Sequence, residues 1–216
     1  MIAEGYSLPP DSPTARDENS YVSFSIRYES RFSAVASLRP EIKVELSARS
    51  PLLPTEILAV RSILGTLVDL DVSAVRINCQ SVQESLGEKV LSFLRRTSEV
   101  LAGRNRAEYD DRLIRHVYDV SMIHRRLPSI VSGLSGVVFQ EMVMADAVRF
   151  SRQYPEFMSS PSEELHKALH QLKTDESLAE HYNRFVNDLV YGDSLSYAEA
   201  QQDFILLAEH LLSGKQ

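Results

Sequence analysis

A lysine on one helix and an aspartate on the next can hold a phosphate chain and manage a proton beside it. The segment from Ser81 to Val120 offers such a pair in Lys89 and Asp119. It reads SVQESLGEKVLSFLRR, then a polar spacer, then DRLIRHVYDV. Lys89 falls on the first turns of an expected helix, whose N-terminal end favours anions, and a lysine there neutralises phosphate as a mobile point charge. Asp119 follows Arg112, Arg115 and His116 on a second expected helix. Spacings of three and four residues bring Arg112, Arg115 and Asp119 near one face, with His116 one position round. Each residue also has a plainer role. Lys89 can pair with Glu88, and Arg115 with Asp119 as a surface ion pair worth about 0.3–0.5 kcal/mol. Tyr118 is expected to pack in the core, as aromatics at helical spacing do.

Other candidate chemistry is sparser. Glu45 falls on the polar face of an expected strand, a recurrent place for a carboxylate that holds Mg²⁺ in nucleotidyl transfer. Lys43 on the same face offers it an ordinary ion pair. His166 and His170 are four residues apart and can share a metal ion, but no HExxH pattern accompanies them. The chain carries no Walker A loop and no GxSxG elbow. Its single cysteine, Cys79, excludes an internal disulfide and a cysteine-based zinc cluster, which suits a reducing cytoplasm. No apolar run approaches the ~18 residues of a membrane span, and MIAEGYSLPPDSPTARDENS lacks the basic and apolar regions of a secretory signal.

Charge singles out the same segment. The 216 residues carry a net charge of −7. Residues 1–88 hold 8 Lys/Arg against 12 Asp/Glu, and residues 127–216 hold 6 against 13. Residues 89–126 reverse this, with 9 against 5. A local excess of +4 favours a phosphorylated ligand or RNA. The plainer alternative has Arg95, Arg104, Arg106 and Arg125 solvating helix faces.

The elements that must position these residues follow from periodicity. Residues 1–20, with Pro9, Pro10 and Pro13, read as a mobile arm. Tyr21–Tyr28 alternates strictly, with Val22, Phe24, Ile26 and Tyr28 on one side, and predicts a half-buried strand. Residues 41–46 (EIKVEL) predict a second strand, and Val75, Ile77 and Cys79 a third. Residues 55–69 show helical apolar spacing. From Ser81 onward the chain reads as helical. Ser81 and Glu84 form an expected capping box, Leu86, Val90, Phe93, Leu94 and Leu101 make an apolar stripe, and Gly103 ends the helix. A second helix starts near Asp110, turns Leu113, Val117, Val120 and Ile123 inward and stops at Pro128. PSIVSGLSGVV reads as a connecting loop. Further helices are expected over 134–153, 162–173, 177–190 and 197–213. Strands followed by helices predict an α+β, mostly α chain: an arm over 1–20, a sheet subdomain over 21–80 and a helical domain over 81–216.

These pieces resemble the AbiEii/AbiGii nucleotidyltransferase toxins of bacterial abortive-infection and toxin–antitoxin pairs. The resemblance rests on LRPEIKVELSARSPLLP, on the ES-x₂-EKV-x₃-LRR run at 84–96 and on DRLIRHVYDV at 111–120. VMADAVRFSRQYPEF and HYNRFVNDLVYG extend it, so that it spans about residues 20–213. It implies a partial polymerase-β-like nucleotidyltransferase sheet followed by a helical bundle, with Mg²⁺ and a nucleoside triphosphate as cofactors. Some members of the wider group add nucleotides to tRNA ends and so block translation. It also implies catalytic roles for Lys89 and Asp119, nucleotide contacts from Arg112, Arg115 and His116, and a metal-side role for Glu45. The implied partners are a cognate antitoxin and tRNA or another RNA, with no membrane.

The family's GG(S/T) turn and D-x-D strand pair are expected upstream of the IKVEL strand. Residues 1–40 contain neither. Two-metal chemistry needs at least two convergent carboxylates, so this chain is expected to be inactive alone and to bind Mg²⁺ and triphosphate weakly. The alternative is a non-catalytic helical module that binds an antitoxin or RNA.

Overall fold

The computed structural model describes residues 5–16, 18–30, 41–68, 73–104 and 110–214. Arg106 lies outside them. The chain forms two compact units, Met1–Ser50 with Phe185–Tyr191 and Pro51–Arg184 with Gly192–Gln216. The division falls at 50–51, earlier than the boundary near 80 suggested by the change from strands to helices.

The first unit is built on β3 (Tyr21–Tyr28). It pairs antiparallel with β4 (Glu41–Ser47), with Val22 opposite Leu46, Phe24 opposite Val44 and Ile26 opposite Ile42. Directly opposite residues share a face, so these apolar pairs line one side of the sheet while Ser23–Glu45 and Ser25–Lys43 line the other. The other edge of β3 takes two short strands from the expected arm, β1 (Tyr6–Ser7) and β2 (Thr14–Arg16). Ser12 between them donates its hydroxyl to the Ser25 carbonyl at 3.0 Å. Polar, proline-rich composition hides this pairing, because the bonds come from backbone groups that every residue type carries.

The second unit starts with a hairpin where a helix is expected. Residues 56–60 form β5 (Glu56–Val60), paired antiparallel with β6 (Val75–Cys79) in a register running from Glu56–Cys79 to Val60–Val75. Only Ile63–Leu67 is helical there (α1), capped by Ser62. A partner strand and the β-branched Ile57 and Val60 override a spacing that fitted both periods.

Nine α-helices are present among the described residues. Those after the hairpin are α2 (Val82–Leu101), α3 (Arg115–Arg126), α4 (Pro128–Gly133), α5 (Gly136–Phe150), α6 (Pro155–Ser159), α7 (Pro161–Thr174), α8 (Ser177–Leu189) and α9 (Tyr197–Leu212). A 3-10 turn at Asp111–Ile114 leads into α3. PSIVSG, expected as loop, is helical because Pro128 occupies a first-turn position, where its missing N–H costs nothing. Pro155 and Pro161 likewise start helices.

α2 is the central helix and packs on α3, α5 and α7. Its expected stripe of Leu86, Val90, Phe93 and Leu94 is fully buried, whereas Leu101 is exposed where the helix ends. Phe93 meets Phe204 of α9 edge-on at 5.0 Å between ring centroids. Gly87 lets α5 come close, since a Cβ there would lie 2.7 Å from the Met142 sulfur. Gly103, at φ +66°, ends the helix as expected.

Candidate functional site

The N-terminus of α2 sets the position of Lys89. Ser81 Oγ accepts from the Glu84 N–H at 3.1 Å, as a capping box requires. Glu84 does not reach back to Ser81. Its buried carboxylate instead accepts from the backbone N–H groups of Leu52 and Leu53, both at 2.9 Å. The Pro51–Pro54 turn thus presents two donors to one carboxylate, and a charge-assisted pair of bonds outcompetes a single local cap. Glu84 in this way ties the chain leading into β5 to the start of α2.

Lys89 lies just beyond that clamp. Its Nζ donates to Asp119 Oδ2 at 2.7 Å, across the contact between α2 and α3. The lysine and aspartate read as one candidate site on neighbouring helices are thus in direct contact. Asp119 pairs with Lys89, while the Arg115 Nε donates to the Arg112 carbonyl at 3.1 Å. Both members keep access to solvent, with side-chain exposures of 31% and 38%.

His116 is half-buried beside this pair, and its Nδ1 has no hydrogen-bond partner. Burial pushes its pKa down to about 4; the Lys89 cation adds to the shift and Asp119 opposes it. At neutral pH the ring is uncharged. It brings the site a neutral donor–acceptor, not a second cation. Arg115 is exposed and Arg112 is half-buried, and neither makes an ion pair among the described residues. Tyr118 is half-buried, with its ring 6.4 Å from that of Tyr182.

The rest of the basic stretch is largely neutralised from within the fold. Arg95 is buried, bonded to Asp146 at 2.8 Å and Glu99 at 3.2 Å, with its guanidinium 3.7 Å from the centre of the Phe150 ring. Arg96 pairs with Asp110 at 2.9 Å. Burial alone would push the Asp110 carboxyl up, but bonds from Arg96 and the Arg112 N–H hold it below its ordinary range. Arg104 pairs with Glu156, and Arg125 with Asp203 at 2.5 Å and Glu199 at 3.3 Å. Arg95 is buried while Arg104 and Arg125 stay exposed, and all three hold carboxylates of the acidic C-terminal stretch. Charge counted along the chain cannot show this, because the partners lie about 50–80 residues away.

Glu45 belongs to the first unit. It is exposed on the polar face of β4 and accepts from the Tyr21 hydroxyl and from Lys43 Nζ, the latter at 2.9 Å. These two bonds, Tyr21's first, hold its carboxyl below the ordinary range. His166 and His170 share an open groove of about 330 Å³ with Lys173 and Glu209. The His166 Nδ1 donates to the Ser162 carbonyl at 2.7 Å. Among the described residues no group of three or more His, Cys, Asp or Glu is placed to hold a metal ion.

Fold and site together define a mostly helical α+β protein with a lysine–aspartate pair clamped between its central helix and the next. Residues 3–205 match the family described as nucleotidyl transferase AbiEii toxin, type IV TA system, and the chain belongs to that family. A toxin of that kind has a cognate antitoxin in its system. No curated protein and no solved structure matches the chain. Among the described residues no helix is long and apolar enough to cross a membrane.

Proposed function

We propose that this chain is the Lys89–Asp119 half of a nucleotidyltransferase toxin site, acting in the cytoplasm in abortive infection and phage defence. The observation that carries the reading is the 2.7 Å contact between these two residues, which stand in the two motifs of the family resemblance. Lys89 provides a cation for a triphosphate. Asp119 holds that cation in place until the nucleotide arrives. Arg112 and Arg115 are available for further phosphate oxygens, and neutral His116 for a hydrogen bond or a proton. Phosphoryl-type transfer depends mostly on positioning and charge neutralisation, which these groups are suited to supply.

Mg²⁺, when bound in such sites, stabilises the attacking and leaving oxygens. The described residues do not fit it well. Glu45 is already bonded to Tyr21 and Lys43, and no cluster of ligands accompanies it. We infer that the chain alone holds Mg²⁺–triphosphate weakly and is inactive until GG(S/T) and D-x-D groups are supplied. The test is incubation with labelled nucleoside triphosphates, Mg²⁺ and total tRNA, with and without an added polypeptide carrying those motifs. Transfer only in the complemented mixture is expected. No transfer in either mixture contradicts the nucleotidyltransferase reading, and transfer by the chain alone contradicts its inactivity.

The second reading is a non-catalytic module that binds the antitoxin or RNA. The observation on its side is that Glu45 is already engaged by Tyr21 and Lys43. The internal neutralisation of Arg95, Arg96, Arg104 and Arg125 weighs against its RNA form, which predicts binding that falls steeply between about 50 and 200 mM salt.

A further inference from the structure

We propose that the β5–β6 hairpin and α1 form the surface on which two copies of this chain associate. Leu58, Val60, Val75 and Ile77 are cross-strand partners on one face of the hairpin, and all four are exposed. Every residue of β5 is exposed, and β6 is exposed up to half-buried Cys79. α1 turns out its apolar residues as well, with Ile63 at 80% and Leu67 at 77% exposure, and only Gly65 is buried. Leu64 and Val68 extend the set, while Ile57 is exposed on the other face of the hairpin, opposite Asn78.

A two-stranded hairpin is marginally stable in water without an apolar cover, so a surface of this kind calls for one. Size and chemistry point to a second copy. Eight large apolar side chains, at roughly 100 Å² apiece, come to about the ~800 Å² per partner of a stable interface. Charged residues are few there, as in the apolar interfaces of homodimers. Those within the two strands and the turn after β5 are Glu56, Arg61 and Arg76, at the ends of β5 and on the opposite face of β6. Glu56 stands at the start of β5 and Arg61 just past its end, so two β5 strands related by a two-fold axis bring opposite charges together at both ends. A nucleic acid or a highly charged partner fits this face poorly.

The test is the solution mass of the full chain across about 1–100 µM, by sedimentation or light scattering. Leu58→Glu with Ile77→Glu changes the centre of the face, and Leu67→Asp changes α1. A species of twice the 24.4 kDa chain mass is expected for the unaltered protein. Both variants should be monomers that melt at the temperature of the unaltered monomer, because the altered side chains are exposed. A monomer at 100 µM overturns the proposal, as do dimers that persist in both variants. A monomer whose melting temperature drops in the variants also overturns it, by showing that the chain covers the face itself. Open-ended aggregates contradict a closed two-fold contact.

Discussion

The Lys89 ammonium lies 2.7 Å from the Asp119 carboxylate, tying two turns of sequence-distant helix together at a place both solvent and ligand can reach. An ion pair about one-third exposed contributes little to stability, because water screens it and both side chains lose freedom. A double-mutant cycle of Lys89→Met and Asp119→Asn in urea should give a coupling below about 1 kcal/mol. A much larger coupling makes the pair a structural staple instead of a site.

Glu84 is the opposite case. It is buried, and its carboxylate accepts from two backbone N–H groups. Glu84→Ala leaves the Leu52 and Leu53 donors without their acceptor and should cost about 2–4 kcal/mol in chemical denaturation. Glu84→Gln keeps one acceptor oxygen and should cost less.

His116 gives a signed pH dependence. Its folded pKa, about 4, lies below the ordinary 6.5. Between those values the unfolded chain binds more protons than the folded one, so stability falls as pH drops from about 6.5 toward 4. The share owed to this ring is no more than about 3 kcal/mol. Unfolding measured at pH 7.5 and 4.5 should lose less stability in His116→Gln than in the unaltered protein. Equal losses contradict the assignment.

Arg95 is buried between Asp146 and Glu99 and stacks on Phe150. Arg95→Ala removes the cation and the stem together, takes from Asp146 and Glu99 the guanidinium they share, and should cost about 3–5 kcal/mol. Arg95→Met keeps the stem on the Phe150 ring and should recover part of that loss. Thermal or urea unfolding of the two variants separates the charge from the packing.

Much of the architecture was legible before the structure. Strict alternation marked β3 and β4, and 3.6-residue spacing placed the buried faces of α2 and α3. What local pattern hid was chosen by distant partners. Residues 56–60 are a strand because β6 pairs with them, and residues 6–7 and 14–16 are strands because β3 offers an edge. Of the site, Lys89 and Asp119 were legible as candidates from their types and their places on neighbouring expected helices, while their direct contact is set by how α2 packs on α3. The neutrality of His116 did not, since it depends on burial. Nor did the partners of Arg95, Arg104 and Arg125, whose acids come from α5, α6 and α9.

The claim that Lys89 and Asp119 do the chemistry is tested most directly by nucleotide transfer to total tRNA in the complemented mixture, comparing the unaltered chain with Lys89→Met and Asp119→Asn. Removing a preorganised charge from a phosphoryl-transfer site costs about 10²–10³ in rate. Each variant should fold as the unaltered chain does and lose transfer by that order. Full transfer by either folded variant contradicts the assignment.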